Sequence, residues 1–319
     1  MTIVTLSNGV HFDSIPKKTI LESALDSGVA IEYSCKNGRC GACRAIVKQG
    51  DTHILYREEF KLKESNEILT CCREASTDIE LSISDLGRIG LIPITISPAR
   101  VDSTRMLNET VMELILRLPP SCDFDYVAGQ YVNLIFDGKR RSYSIANAHR
   151  LDHKLEFHIK KVANGFMSNY FFYRCNQNDL LRIEGPLGTF SIRDDNSRNI
   201  VFLATGTGIA PIKSMLENLD ESYEKNVYVF WGARYEKDFY EINSISNRIN
   251  IFYCTSREKL EGKFFGYVQN AVLELNINLD ETTVYACGSS EMILSAQSTL
   301  TSEGLKLENF YADAFVSSG

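Results

Sequence analysis

Five of the nine cysteines fall between residues 35 and 72, and their spacing limits what the first part of the chain can become. In YSCKNGRCGAC (33–43), Cys35, Cys40 and Cys43 follow C-x4-C-x2-C, and the next cysteines are Cys71 and Cys72. Four thiolates at this spacing suit a [2Fe–2S] cluster. Gly38 and Gly41 lie between the ligands, where positive φ turns backbone N–H groups toward the sulfurs. A structural zinc is the rival, but zinc ribbons usually pair two C-x2-C knuckles, and here one asymmetric loop meets a distant cysteine. The fourth ligand is Cys71 or Cys72. EILT runs as a strand straight into Cys71, which favours it, and Cys72 then faces the other way. Cys122, Cys175 and Cys254 are scattered and read as small buried hydrophobes.

Composition excludes several function classes. Lys and Arg number 34 against 41 Asp and Glu, a net charge of −7, which lacks the basic footprint that nucleic acid requires. No apolar run approaches the roughly 18 residues of a membrane span. MTIVTLSNGV carries no signal-peptide pattern, and the cysteines argue against a disulfide framework, so a cytoplasmic protein is expected.

The chain reads as three domains. In residues 1–86, TIVTLSNG and VHFDSIP alternate around an Asn8-Gly9 turn, KTILESALDSGV has a helical apolar face, and RAIVKQGD and DIELSIS alternate again. This predicts a β-grasp (α+β) domain, followed by a linker over LGRIGLI (86–92). Residues 93–194 hold period-2 stretches in PITISPARV, NETVMELILRL, QYVNLIFDG and KLEFHIKKV, which predict an antiparallel β-barrel with one helix at FMSNYFFYR. Residues 195–319 alternate strand and helix, from NIVFLATG to EMILSAQSTL, which predicts a doubly wound parallel α/β domain.

Three further constellations carry chemistry. In RRSYSIAN (140–147), Arg141 and Tyr143 share a strand face. Arg141 is suited to a pyrophosphate, Tyr143 to stacking on a flavin ring, and Ser144 to the ring edge. Gly165, Phe166, Met167 and Ser168 open a helix, whose N-terminus is an anion site. His158 lies on the same strand as Lys160, toward the flavin, and reads equally well as structural. In IVFLATGTGIAPIKSML (200–216), a buried strand turns through Gly206, Thr207 and Gly208 into a helix holding Pro211, so that a pyrophosphate can approach. This is not G-x-G-x-x-G, since Pro211 stands where the third glycine would be. In VYACGSSEMI (284–293), a strand ends at Cys287 and Gly288, where doubly wound sheets place ligands. Each motif alone also fits a plain strand end or turn.

In this order, C-x4-C-x2-C…C, R-x-Y-S, GTGIAP and ACGSSEM resemble a plant-type ferredoxin domain fused ahead of a ferredoxin–NADP reductase-like FAD domain and its NAD domain. The resemblance covers nearly the whole chain. Among such fusions, GQYVNLIFDGKRRSYSIANA, LEFHIKKV, GPLGTF and YADAF look like the reductases of CDP-4-keto-6-deoxyhexose 3-dehydrases in 3,6-dideoxyhexose synthesis. Reductase components of Rieske and di-iron oxygenases share the architecture and are the alternative. The resemblance implies cluster ligation by Cys35, Cys40, Cys43 and Cys71. It implies FAD contacts from Arg141, Tyr143, Ser144, Lys160, Gly165 and Ser168. Nicotinamide nucleotide contacts fall to Gly206, Thr207, Gly208, Pro211, Cys287 and Gly288, and Phe315 matches an aromatic near the flavin. Ser144 and Cys287 are expected to act in flavin reduction. Ser256-Arg257 stands where related enzymes read the 2′-phosphate of NADPH, whereas the subfamily is associated with NADH, the expected donor.

A nicotinamide gives an electron pair and an iron–sulfur cluster takes single electrons, so something must split the pair, and a flavin can do both. The expected sequence is NADH, FAD, [2Fe–2S], then an acceptor protein, a deoxysugar 3-dehydrase. Lys36, Arg39 and Arg44 on the cluster loop suggest a basic rim for an acidic partner; the alternative is that they are solvated loop residues or face the chain's own FAD domain. An electron-carrier module without nucleotide activity, or a zinc adaptor, are the readings from other classes.

Overall fold

The computed structural model describes the chain except residues 1, 63, 88, 90, 91, 151, 221–222, 243–248 and 316–319. Three residues of the predicted linker, Arg88, Gly90 and Leu91, lie outside the described set. Two compact units emerge, 1–93 with 188–190, and 94–187 with 191–319.

The first unit contains β1 (Thr2–Leu6), β2 (His11–Ser14), α1 (Ile20–Asp26), β3 (Arg44–Gln49), β4 (Thr52–Ile54), β5 (Glu67–Leu69), β6 (Arg73–Ala75) and β7 (Ile79–Leu81). Five strands form a sheet in the order β2-β1-β7-β3-β5, with β1 and β7 parallel, the expected β-grasp. Helix α1 starts where Thr19 and Glu22 make a reciprocal capping box, which satisfies N–H groups the first turn leaves open. It buries Ile20, Leu21 and Ala24 in a core with Leu6, Phe12 and Ile68. The small β4–β6 ribbon was not legible in the sequence; its three-residue strands show no alternation long enough to read.

In the second unit, β8 (Thr95–Met106), β9 (Val111–Arg117), β10 (Tyr131–Phe136), β11 (Lys139–Ser144), β12 (Lys154–Lys160) and β13 (Leu180–Leu187) form an antiparallel sheet in the order β11-β10-β13-β8-β9-β12. Its edges meet where the Ala146 N–H donates to the Glu156 carbonyl at 2.8 Å, so the sheet curls into a barrel. Leu114, Leu116, Leu134, Phe157 and Ile159 fill it, and α2 (Phe166–Tyr173) packs Met167, Tyr170 and Phe171 against them. The same unit holds a six-stranded sheet of β14 (Asn199–Thr205), β15 (Asn226–Ala233), β16 (Asn250–Thr255), β17 (Phe264–Phe265), β18 (Thr282–Ser289) and β19 (Phe310–Phe315). All its pairings are parallel, in the order β17-β16-β15-β14-β18-β19. Helices α3 (Ile209–Glu217), α4 (Val268–Glu274) and α5 (Ser290–Ser302) connect it. Strand order reverses at β14, so the carboxyl ends of β14 and β18 flank the crevice where such sheets take ligands.

Candidate functional site

The cysteine loop sits between α1 and β3. Gly38 (φ +73°) and Gly41 (φ +75°) hold it in a left-handed path. A Cβ on Gly41 would lie 2.4 Å from the Phe60 ring, so the loop closes only with glycine there. Its thiols fall into two pairs. Cys35 and Cys40 hydrogen-bond to each other, and Cys43 and Cys71 sulfurs lie 3.2 Å apart. Cys35 is held down to about 6 by the Cys40 thiol and by the N–H groups of Asn37, Arg39 and Cys40, against the effect of burial. The Cys71 thiol is also lowered, chiefly by Cys43 and then by the Gly38 N–H. Cys72 differs: burial and its neighbour Cys71 push it up to about 12, and its sulfur lies 3.7 Å from the Arg57 carbonyl. Among the described residues, no three or more His, Cys, Asp or Glu close on one metal-ion site. Two thiol pairs with backbone N–H groups aimed at sulfur fit a two-iron group, and they fit a single tetrahedral zinc poorly.

The predicted basic rim is smaller than the loop sequence suggests. Arg39 reaches Glu59 through two nitrogens at 2.9 and 3.3 Å, and Arg44 lies 3.5 Å from Glu67. Lys36 stands over the Tyr33 ring at 4.5 Å.

On β11, Arg141 and Tyr143 share a face, as the strand period requires. Arg141 donates to the neighbouring Arg140 carbonyl at 2.8 Å and pairs with no carboxylate among the described residues. Tyr143 packs edge-on to Phe171, and burial raises its hydroxyl to about 12, keeping the ring neutral. Ser144 is buried at the strand end. Gly165 is the N-cap of α2 and offers no side chain, leaving first-turn N–H groups for an anion. Phe166 and Met167 pack toward the barrel core, and the Ser168 hydroxyl accepts from the Val162 N–H at 2.8 Å. A guanidinium with no carboxylate partner among the described residues, an aromatic face and an open helix start are a set suited to a flavin dinucleotide.

A cavity of about 790 Å³ opens at the carboxyl ends of the parallel strands. Thr205, Gly206 and Thr207 line it from β14, Arg234 and Ser256 from the ends of β15 and β16, and Gly288 from β18. Lys160 and Phe315 also face it. Lys160 Nζ lies 3.8 Å from where a Cβ on Gly206 would stand. Gly208, Pro211 and Cys287 are buried behind this lining. A Cβ on Gly208 would meet the Cys287 carbonyl oxygen at 2.2 Å, so that glycine serves the packing of the turn onto β18. The Cys287 thiol is fully buried, and burial raises it well above the usual range. Arg257 does not line the cavity; its N–H donates to the Arg234 carbonyl, and Arg234 and Asp238 are both among the residues that line it.

The chain matches three domain families: a 2Fe-2S iron-sulfur cluster binding domain over residues 4–76, an oxidoreductase FAD-binding domain over 98–192 and an oxidoreductase NAD-binding domain over 202–298. It is 42% identical over 324 residues to the CDP-6-deoxy-L-threo-D-glycero-4-hexulose-3-dehydrase reductase of Yersinia pestis, covering 98% of this chain and 97% of that one. The chain belongs to this reductase family. Protein RfbI of Salmonella typhimurium is 36% identical, covering 98% and 95% of the two chains. Reductase component 1 of a Comamonas terephthalate 1,2-dioxygenase is 29% identical, covering 97% and 95%. The fold matches the Amycolatopsis cytochrome P450 reductase GcoB at a TM-score of 0.77 and 23% identity over the full length of both chains.

The reductase is an oxidoreductase with iron–sulfur, FAD and NAD domains. Among the described residues, no helix is long and apolar enough to cross a membrane. Sequence reasoning missed the surroundings of His158. That side chain is buried, with Nδ1 3.0 Å from the Tyr240 hydroxyl and Nε2 3.0 Å from Glu156. The other Glu156 oxygen meets Lys213 Nζ at 3.0 Å; Lys213 also bonds Glu217 at 2.6 Å, and Glu217 bonds Arg150 at 2.9 Å. Burial raises Glu156, but His158 and Lys213 outweigh it and hold the carboxyl below its usual range. Glu156, His158 and Lys160 alternate along β12, a polar face in a strand that reads as barrel core, which was the one signal available.

Proposed function

We propose that the reductase takes electrons from NADH and delivers them singly to a cytoplasmic deoxysugar 3-dehydrase acting on a CDP-linked hexulose. Its three functional segments are 1–86, 93–194 and 195–319, and neither nucleic acid nor membrane takes part. A bound FAD would supply the conversion between the electron pair of a nicotinamide and the single electrons of a [2Fe–2S] cluster. Cys35, Cys40, Cys43 and Cys71 hold the iron. Arg141 and the N-terminus of α2, with Gly165 and Ser168, carry the FAD pyrophosphate. Tyr143 would cover the ring, and Ser144 would stand near its edge. The turn at Gly206, Thr207 and Gly208 carries the NADH pyrophosphate, with Pro211 and Cys287 packing it from behind, and Gly288 and Phe315 complete the nicotinamide side. The cavity lining holds the cations Lys160 and Arg234 together with the carboxylates of Asp238 and Glu291, a mixed charge set that favours NADH over a nucleotide with an added 2′-phosphate.

The observation that carries this reading is the paired-thiol loop on the same chain as the barrel and parallel sheet, at 42% identity along 98% of the chain to a dehydrase reductase. The test supplies purified reductase and NADH to the Yersinia type of dehydrase with its CDP-hexulose substrate. Product formation dependent on all components supports the reading. Product formation only with a Rieske or di-iron oxygenase, the class of the Comamonas relative, would replace the acceptor.

A further inference from the structure

Trp231 is the chain's single tryptophan, and it is fully buried at the end of β15. Its indole N–H donates to the Gly206 carbonyl at 3.0 Å. Three rings box it in: Tyr240 edge-on at 4.9 Å, Phe239 edge-on at 5.2 Å and Tyr253 at 5.9 Å. The box is tied to the barrel at two points. The Tyr240 hydroxyl lies 3.0 Å from His158 Nδ1 on β12, and Asn108, after β8, donates to the Asp238 carbonyl at 3.0 Å. The indole therefore cannot swing without moving a segment fastened to the barrel.

A peptide unit is planar and trans, so its C=O and the next N–H point in opposite directions. With the Gly206 carbonyl held by Trp231, the Thr207 N–H points away from the indole. Gly206 and Thr207 line the cavity, and Trp231 lies behind them. A flipped peptide would bring a carbonyl oxygen toward an incoming anion instead of a donor. Gly206 has φ +54° and opens a short 3-10 turn (Gly206–Gly208); a glycine turns more readily than other residues, so the indole bond adds a hold on this peptide.

We propose that Trp231, anchored through Tyr240 to His158, is a positioning residue that presets the Gly206–Thr207 peptide for the pyrophosphate of the nicotinamide nucleotide. This rests on the reading that the cavity holds NADH. It makes the barrel strand β12 part of the nucleotide site, although His158 itself never reaches the cavity.

The test is Trp231→Phe in the full-length holoprotein, which keeps a ring and removes the N–H. NADH-dependent ferricyanide reduction gives KM and kcat, and calorimetric titration with ADP-ribose, which lacks the nicotinamide, gives an affinity independent of turnover. KM and the ADP-ribose Kd should rise together by about three- to ten-fold, the net worth of one hydrogen bond. FAD content and kcat should stay within about two-fold on the same scale. Unchanged KM and Kd would overturn the proposal, as would a loss of kcat with affinity intact. Should the smaller ring unfold the protein, Tyr240→Phe keeps Trp231 and removes its anchor; both constants should again rise, and constancy would again overturn it. Wild-type protein that binds neither NADH nor ADP-ribose would instead remove the reading of the cavity, and the proposal with it.

Discussion

Replacing Lys213 with Met should destabilise the second unit more than any surface change. The Lys213 side chain is 3% exposed and lies between Glu156 at 3.0 Å and Glu217 at 2.6 Å, with the Ala146 carbonyl at 3.2 Å. Removing one member of a buried ion pair leaves an uncompensated charge and costs about 3–5 kcal/mol. Here His158 still bonds Glu156 and Arg150 still bonds Glu217, so the lower end, about 3 kcal/mol, applies. For a unit of this size, that corresponds to a fall of about 6–12 °C in Tm, read by scanning calorimetry of the holoprotein. Glu156→Gln on top of Lys213→Met should recover part of the loss by removing one stranded carboxylate. The direction with pH follows from Glu156, whose carboxyl is held low in the folded state. Such a group stabilises the fold above its unfolded pKa and loses that contribution as pH falls through its folded value. The gap between wild type and Lys213→Met should therefore be widest near neutrality and narrow below about pH 5. A Tm within about 2 °C of wild type at pH 7 would refute the reasoning, because the network would then be electrostatically idle.

Cys40→Ser should abolish the reduced-state paramagnetic resonance of the cluster while leaving FAD bound and NADH–ferricyanide activity intact; an unaltered spectrum would remove Cys40 from the ligand set. Cys72→Ala should keep the same spectrum: the Cys72 sulfur lies 3.6 Å from that of Cys71, but it turns to the Arg57 carbonyl at 3.7 Å and burial raises its thiol, so it is not counted among the four ligands. Arg141→Ala should weaken FAD binding by losing a charge-assisted contact of about 1.5–3 kcal/mol, roughly ten- to a hundred-fold, measured as flavin retained after dialysis. Full retention would return Arg141 to an exposed barrel strand.

Local signals made most of the fold and part of the site legible. The cysteine spacing and the glycines between those cysteines specify a loop by themselves, and the strand-to-turn pattern before Gly206 leads to the cavity at the carboxyl ends of the parallel strands. What was hidden is non-local. Glu156 and Lys213 are 57 residues apart, and no spacing rule links a barrel strand to a helix of another sheet. The pairing of Arg39 with Glu59 was hidden for the same reason, and it reduces the basic rim that the loop alone suggests. Strand β19 shows a mixed apolar stretch too short to read unaided, yet it carries Phe315 into the cavity. Cys287 was read as facing the nucleotide, and the fold buries its thiol, while Gly288 beside it, also buried, lines the cavity.

The central claim is that electrons leave this chain through the cluster to a deoxysugar dehydrase. The most direct measurement is anaerobic turnover of the CDP-hexulose by the dehydrase with NADH as the sole reductant, comparing wild-type reductase with Cys40→Ser. The account predicts product with wild type and none with Cys40→Ser, although both reduce ferricyanide. Equal product from the two proteins would contradict it, because electrons would then reach the dehydrase without the cluster.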